Sequence, residues 1–212
     1  MNELLNLTKQ LLDHKIIAIL RGIEPSYAMA TGNAIVAGGV KFMEITMNTE
    51  GAEQMIYDWR EAFSEQAYVG AGTVIDAAHA KRAVAAGAQF LISPNLDIEV
   101  IAYAQEQGVA VWPGVMTPTE IMQAWKAGVD AVKLFPMASL GLSYLQEIRG
   151  PIKQVPIIAT GGVHKDNITE YFKSGANAVG MGTKLVNLED AKAGRFEQIR
   201  KHISEIVALA NA

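Results

Sequence analysis

Short apolar runs alternate with longer amphipathic stretches along the chain. Apolar runs at Ile16–Leu20, Tyr68–Gly72 and 156–160 have the length of buried strands. The spacing of apolar residues between such runs predicts helices at 3–14, 76–86, 97–107, 117–127, 165–174 and 190–212. Strands that alternate with helices are typical of βαβ units and a parallel sheet.

A weak internal repeat supports this interpretation. In five copies an amphipathic stretch ends at a glycine and a short apolar strand follows within a few residues. The glycines are Gly39, Gly87, Gly108, Gly128 and Gly175. Because glycine commonly ends helices in the left-handed conformation, each copy predicts a helix, a glycine and a strand in that order.

About eight βα units of similar length predict an α/β fold, a compact (β/α)8 TIM barrel. We expect one domain that spans 1–212, with the leading helix covering the bottom of the barrel. The alternative is an open, doubly wound sheet, which needs fewer strands and usually a glycine-rich dinucleotide turn after the first strand. The chain after Leu20 reads Arg21-Gly22-Ile23-Glu24-Pro25 and lacks that turn, so the barrel is favoured.

Composition narrows the classes of function. The 18 Lys and Arg against 22 Asp and Glu leave a net charge of −4, which gives no sign of a nucleic-acid or anionic-membrane partner. No apolar run approaches the roughly 20 residues of a membrane span. The chain has no cysteine, and its start lacks the features of a secretory signal. We therefore expect a soluble, cytoplasmic protein.

Lys133 is the residue whose setting most needs a chemical reason. It lies in the run 131–136, whose apolar flanks predict a buried strand. A buried ammonium loses hydration, so its pKa falls and the neutral amine can attack a carbonyl. This setting indicates a Schiff-base lysine. The alternative is a strand-edge lysine whose ammonium reaches water.

Glu44 has a similar setting between Met43 and Ile45 in another apolar strand. Because alternate residues of a strand share a face, Glu44 and Lys133 can both point into the mouth of the barrel. The functional interpretation is a base and a nucleophile that tune each other's pKa. The alternative is a buried ion pair that holds the barrel closed.

Two further polar residues follow strands at the same end of the predicted barrel. Arg21 could hold a substrate carboxylate, or it could be a surface residue paired with Glu24. Thr73 could add a hydroxyl to the same carboxylate, or it could cap the helix that follows.

Glycine-containing turns follow the last two strands, at 160–163 and 180–183. In barrels the loops after strands seven and eight often bind phosphate, because glycine lets backbone N–H groups approach an anion. The pair of turns indicates a phosphorylated substrate. The alternative is that each glycine only eases a tight turn. The four histidines lie far apart in the sequence and form no metal motif, and no cofactor fingerprint is present.

Eight motifs stand in one order: Ile19-Leu20-Arg21, Glu44-Ile45-Thr46, Gly70-Ala71-Gly72-Thr73-Val74, Ile92-Ser93-Pro94, Pro113-Gly114-Val115, Lys133-Leu134-Phe135-Pro136, Thr160-Gly161-Gly162-Val163 and Gly180-Met181-Gly182. Over nearly the whole chain they resemble the bacterial class I aldolases that cleave 2-keto-3-deoxy-6-phosphogluconate and 4-hydroxy-2-oxoglutarate, with the related 2-keto-3-deoxy-6-phosphogalactonate aldolases. The motifs are specific as a set, although none is specific alone.

The resemblance implies a barrel homotrimer, without cofactor or metal, that acts on pyruvate and a phosphorylated 2-keto-3-deoxy sugar acid in the Entner-Doudoroff route. It implies that Lys133 forms the Schiff base and Glu44 moves protons. The substrate-binding residues that it implies are Arg21 and Thr73 for the pyruvyl carboxylate, Pro94 and Phe135 for the pocket walls, and Gly161, Gly162, Gly182 and Thr183 for the phosphate.

One position departs from the pattern. Some members carry an arginine two residues after Thr46, where this chain has Asn48. The sequence leaves open the gluco or galacto configuration of the substrate and the role of Asn48. A phosphosugar isomerase or a non-catalytic sensor of a phosphorylated sugar acid are the alternatives from other classes of function.

Overall fold

The computed structural model describes the backbone of residues 2–212 and the side chains of residues 7–212. Within this range the chain forms nine strands and ten helices. The strands are β1 Ile16–Leu20, β2 Phe42–Thr46, β3 Tyr68–Gly72, β4 Phe90–Ile92, β5 Ala110–Trp112, β6 Gly114–Val115, β7 Val132–Leu134, β8 Ile157–Thr160 and β9 Ala178–Met181. The helices are α1 Asn2–His14, α2 Pro25–Ala37, α3 Ala52–Phe63, α4 Ala77–Ala85, α5 Ile98–Glu106, α6 Pro118–Lys126, α7 Met137–Arg149, α8 Ile168–Lys173, α9 Leu188–Lys192 and α10 Phe196–Ala210.

The strands form one parallel sheet that the chain itself closes into a barrel. The strand order is β5-β4-β3-β2-β1-β9-β8-β7-β6. Its two end strands, β5 and β6, are separated in sequence only by Pro113. Proline has no N–H to donate, which interrupts the ladder at this point, but its carbonyl oxygen accepts a hydrogen bond from the Lys133 N–H at 2.9 Å. With β5 and β6 counted as one interrupted strand, the predicted barrel of eight units is confirmed.

The lower interior of the barrel is filled by large apolar side chains. Phe42, Phe90 and Trp112 are fully buried there, and the rings of Phe90 and Trp112 stack with centroids 4.9 Å apart. Leu11 of α1 joins this cluster, and the Trp112 indole N–H donates to Oγ1 of Thr8 at 3.1 Å. The leading helix therefore covers the bottom of the barrel, as predicted. This apolar layer closes the lower end of the barrel, so the inward-facing residues nearer the carboxyl ends of the strands lie above it.

The helix-ending glycines have the backbone conformation that the repeat predicts. The φ angles are +100° at Gly39, +92° at Gly87, +66° at Gly108, +85° at Gly128 and +103° at Gly175. A side chain with a Cβ rarely adopts this region, so glycine is the residue that lets each helix turn into the next strand.

The helical region predicted at 190–212 is not continuous. It is two helices, α9 and α10, and the chain between them turns at Gly194, where φ is +70°. Along residues 2–212, no helix combines the length and the apolar character needed to cross a membrane.

Candidate active site

Lys133 on β7 and Glu44 on β2 lie inside the carboxyl end of the barrel. Both are buried, with 6% of Lys133 and 1% of Glu44 exposed. Three strands, β1, β9 and β8, separate β2 from β7 in the sheet, so these side chains face each other across the barrel interior. A strand-edge lysine with its ammonium in water does not fit this burial.

The two groups do not form a direct ion pair. No salt bridge between described side chains involves either residue, and Oε2 of Glu44 has no hydrogen-bond partner. A buried polar oxygen without a partner is costly and needs an explanation, of which a catalytic role is one. The structural alternative, an ion pair that closes the barrel, is therefore wrong.

Burial shifts the protonation of both groups toward their neutral forms. It raises the pKa of Glu44 to about 7, against the opposing effect of the positive charges on Lys133 and Arg21. Burial also lowers the pKa of Lys133, although the Glu44 carboxylate opposes this shift, and the charge of Arg21 lowers the pKa further. A glutamate that titrates near neutral pH and a lysine with a lowered pKa can supply both a proton carrier and a neutral amine.

Phe135 lies next to Lys133, and Pro94 lies next to the neighbouring strand β6. The Nζ atom of Lys133 is 5.0 Å from the centroid of the Phe135 ring, within the range of a cation–π contact. Gly114 pairs with Lys133 across β6 and β7, and a Cβ on Gly114 would lie 2.3 Å from the carbonyl carbon of Pro94. The turn at Pro94 therefore packs directly on the strand beside Lys133. Of the two predicted wall residues, Phe135 thus lies beside the lysine itself, and Pro94 lies beside the strand that pairs with it.

Arg21 follows β1 at the mouth of the barrel. Its Nη1 atom donates to Oδ1 of Asn48 at 3.2 Å, and among the described side chains it forms no ion pair with Glu24. The surface pair considered from the sequence is therefore wrong. The positive charge of Arg21 lowers the pKa of both Glu44 and Lys133. The guanidinium is therefore close enough to interact electrostatically with both buried groups.

Thr73 follows β3 in a strained backbone conformation. Its φ angle is +57°, which is unfavourable for a β-branched residue and is often retained at functional sites. It does not cap the next helix, because Asp76 accepts the His79 N–H at 2.8 Å in that role. The capping alternative for Thr73 is wrong.

The glycine turns after β8 and β9 lie side by side at the mouth. Gly161 and Gly162 have φ angles of +98° and +77°. The N–H groups of these glycines, and those of Gly182 and Thr183, donate to no carbonyl or side chain within the described part of the chain. A cluster of unpaired N–H groups on glycine-rich backbone is a common way to bind a phosphate.

A cavity of about 290 Å³ extends over these turns. Arg21 lines it at one side, together with the inward-facing side chains of Ile19 and Thr160, and Lys184 lines it as well. Among residues 7–212, no aspartate or glutamate lines this cavity, so its charge favours an anion. Lys184 is a lining residue that the sequence pattern does not single out, although its place directly after Thr183 in the glycine turn is a signal that could find it.

The predicted residues thus fall into two neighbouring groups. One group lines the cavity and consists of Arg21 and the four residues of the glycine turns, Gly161, Gly162, Gly182 and Thr183. The others, which do not line the cavity, are Lys133, Glu44, Thr73, Pro94 and Phe135. Arg21 lies between the groups, since it borders the cavity and its charge reaches Glu44 and Lys133.

A parallel barrel with a buried lysine and a buried glutamate at its carboxyl end has the architecture of a barrel enzyme. The family model described as KDPG and KHG aldolase matches residues 7–202. The chain therefore belongs to the KDPG and KHG aldolase family, and it is an aldolase, a lyase. This membership sets aside the isomerase and the non-catalytic sensor.

Named relatives and solved structures agree with this assignment. The chain is 34% identical over 171 residues to the 2-dehydro-3-deoxy-6-phosphogalactonate aldolase of Escherichia coli K12, with 80% of this chain and 83% of that protein covered. It is also 34% identical over 192 residues to the KHG/KDPG aldolase of the same strain, with 90% and 89% covered. Among solved structures, it is similar to the KDPG aldolase of Legionella pneumophila with pyruvate captured as a covalent carbinolamine, at a TM-score of 0.85 and 30% identity, with 91% and 94% covered.

Proposed function

We propose that this chain is a Schiff-base aldolase that cleaves 2-keto-3-deoxy-6-phosphogluconate to pyruvate and glyceraldehyde 3-phosphate. We expect it also to cleave 4-hydroxy-2-oxoglutarate to pyruvate and glyoxylate. The single observation that carries the proposal is the buried Lys133, with its lowered pKa, in the same barrel interior as the unpaired carboxyl of Glu44. With the first substrate, the reaction is the cleavage step of the Entner-Doudoroff route.

The first chemical step uses Lys133 as a neutral amine. Its Nζ attacks the C2 ketone of the substrate, and the resulting carbinolamine loses water to give a protonated imine. Glu44 gives the proton that lets the carbinolamine oxygen leave as water, which suits a carboxyl whose pKa is raised to about 7. The captured carbinolamine of the Legionella relative supports this step by similarity.

The second step breaks the C3–C4 bond. The protonated imine accepts the electron pair of that bond, so C3 and the imine become an enamine while the C4 hydroxyl loses its proton and an aldehyde forms. The Glu44 carboxylate takes this proton, directly or through water. The aldehyde leaves, C3 is reprotonated, and hydrolysis of the imine releases pyruvate and regenerates the amine. The imine is the electron sink, so the proposal uses no metal or cofactor.

The carboxylate and the phosphate of the substrate each have a matching set of residues in the site. We propose that Arg21 and the Thr73 hydroxyl receive the carboxylate, with Phe135 and Pro94 as walls around the pyruvyl part. The phosphate then lies on the N–H groups of the glycine turns, in the cavity without acidic residues. A guanidinium can bind a carboxylate through two parallel hydrogen bonds, which fixes the orientation of the substrate.

A second candidate has the same mechanism and the galacto substrate. It is supported by the relative in Escherichia coli that is named for 2-dehydro-3-deoxy-6-phosphogalactonate and has the same 34% identity as the KHG/KDPG relative. Measuring kcat/KM for both phosphorylated substrates and for 4-hydroxy-2-oxoglutarate tests the proposal. A higher value with the gluco substrate supports it, whereas a preference for the galacto substrate by tenfold or more would replace it with the second candidate.

We also propose that the chain assembles as a homotrimer. Three of the exposed large apolar side chains of the described residues, Ile75, Ile98 and Met116, follow strands β3, β4 and the interrupted strand β5–β6 at the mouth of the barrel. Exposed apolar side chains commonly mark a protein interface where they form one patch. A structural neighbour with 30% identity is a cage designed by fusing symmetric oligomeric domains, which supports a second copy of this chain as the partner of this surface.

A further inference from the structure

The turn after β2 contacts the turn after β1 through two hydrogen bonds, which join two successive residues of one turn to two successive residues of the other. Nη1 of Arg21 donates to Oδ1 of Asn48 at 3.2 Å. The N–H of the next residue, Gly22, donates to Oγ1 of the next residue, Thr49, at 2.9 Å. The bond from Gly22 to Thr49 thus holds the two turns together, and the bond to Asn48 holds the Arg21 guanidinium.

The turn that carries Asn48 is fixed on both sides of this residue. The N–H of Met47 donates to the Gly72 carbonyl oxygen at 2.8 Å, and the N–H of Thr49 donates to the Thr46 carbonyl oxygen at the same distance. Thr46 and Thr49 are buried, and their hydroxyl oxygens are 2.9 Å apart in a hydrogen bond. The backbone of Asn48 is therefore held in a defined position, and its exposed amide oxygen reaches Arg21 from that position.

Arg21 needs such a partner because its own side chain is exposed. A free arginine side chain samples many rotamers, and ordering it when a ligand binds lowers affinity. An amide oxygen is neutral, so it can fix the guanidinium and leave its full positive charge and remaining N–H donors for a substrate. A carboxylate in the same place would neutralise that charge.

We propose that Asn48 is a positioning residue that holds the Arg21 guanidinium ready for the substrate carboxylate. This inference rests on the proposed role of Arg21 as the carboxylate receptor. It gives a physical role to the position at which some members of the family carry an arginine. Asn48 acts through Arg21, and the two residues form one functional unit.

A double-mutant cycle tests this dependence. The variants are Arg21→Ala, Asn48→Ala and the two combined, and Asn33→Ala on the exposed face of α2 is the matched control. Cleavage of unphosphorylated 4-hydroxy-2-oxoglutarate is the assay, so that phosphate contacts do not mask the carboxylate site. We expect Asn48→Ala to raise KM about tenfold with little change in kcat, because a hydrogen bond to a charged group is lost. In the Arg21→Ala background the same substitution should change nothing further.

Each outcome bears on the inference in a defined way. The inference would be overturned by a wild-type KM for Asn48→Ala, or by an equal rise in KM in the presence and absence of Arg21. Either result would leave the aldolase proposal intact. An Arg21→Ala variant with a wild-type KM would instead refute the proposed carboxylate receptor. Asn48→Asp keeps the acceptor and adds a negative charge, so we expect a higher KM than for Asn48→Ala. A KM restored by Asn48→Asp would contradict the requirement for a neutral acceptor.

Discussion

A methyl group on Gly72 would lie 2.2 Å from Oε1 of Glu44. The absence of a side chain at Gly72, on the strand next to β2, is thus what leaves room for the buried carboxyl. The glutamate and the glycine form one structural unit, although 28 positions along the sequence separate them.

Gly72→Ala should therefore displace the Glu44 carboxyl. We expect kcat/KM to fall about 100-fold, because a shift of this size in a catalytic group has a cost of that order. Gly150→Ala is the control, since a Cβ there would meet its nearest atom only at 3.4 Å. Steady-state kinetics of both variants checks the prediction. Full activity of Gly72→Ala would mean that the position of Glu44 does not matter for the reaction.

The raised pKa of Glu44 predicts a pH dependence of the reaction. Glu44 gives the first proton of the reaction, so the free enzyme needs it protonated, and its pKa is about 7. The value of kcat/KM should therefore fall with an apparent pKa near 7 as pH increases. Glu44→Gln should lower activity by about 10² to 10⁴-fold and remove this limb of the profile. A profile that is the same in the wild type and in Glu44→Gln would assign the limb to another group.

The same shift predicts a change in stability with pH. Because the pKa of Glu44 rises from 4.5 to about 7 on folding, the folded state binds more protons than the unfolded state between these values. The contribution of Glu44 to the free energy of unfolding therefore decreases as pH rises through this window. Urea denaturation at pH 5 and pH 8 should show that the free energy of unfolding falls more between these pH values in the wild type than in Glu44→Gln. An equal fall in both proteins would contradict the raised pKa of Glu44.

Lys184 should contribute to recognition of the phosphate. The residue lines the cavity over the glycine turns, so we expect Lys184→Ala to lower the ratio of kcat/KM for the phosphorylated substrate to that for 4-hydroxy-2-oxoglutarate about tenfold. The control is Lys153→Ala, at an exposed position outside the cavity, which should keep the wild-type ratio. If Lys184→Ala also keeps that ratio, Lys184 does not contact the phosphate.

Ile98 should contribute to assembly of the trimer. It is 55% exposed, and Ile98→Asp would place a charge within the proposed interface. Light scattering coupled to gel filtration should give the mass of three 22.8 kDa chains for the wild type and a smaller assembly for the variant. Met29→Asp, on the exposed part of α2, is the control and should remain trimeric. A wild-type monomer would refute the proposal.

Much of the fold follows from local sequence patterns. The first and third strands, Ile16–Leu20 and Tyr68–Gly72, have the bounds that their apolar runs predict, because each run is buried except at one half-buried residue, Ile19 or Tyr68. The break between β5 and β6 has a local cause, because Pro113 has no N–H to donate to the ladder, and a proline within an apolar run is its signal. The break at Gly194 has a local cause, and a glycine within a helical pattern is its signal.

The candidate site follows from the sequence only in part. Alternation along β2 and β7 predicts that Glu44 and Lys133 face inward, because strand geometry is local. The contact between Arg21 and Asn48 joins two turns that the sequence pattern does not connect, so only the folded structure reveals it. The place of Lys184 at the cavity likewise depends on how the turns after β8 and β9 lie together.

Borohydride reduction in the presence of pyruvate shows whether Lys133 forms the proposed Schiff base. Because burial lowers the pKa of Lys133, the neutral amine should form an imine near neutral pH, and reduction should leave a stable pyruvyl adduct on this lysine. Peptide mass mapping would locate the adduct, and Lys133→Arg should form none while Lys153→Ala forms it normally. An adduct on Lys133 is the predicted result. An adduct on another lysine, or none under conditions that trap a known imine-forming aldolase, would contradict the account.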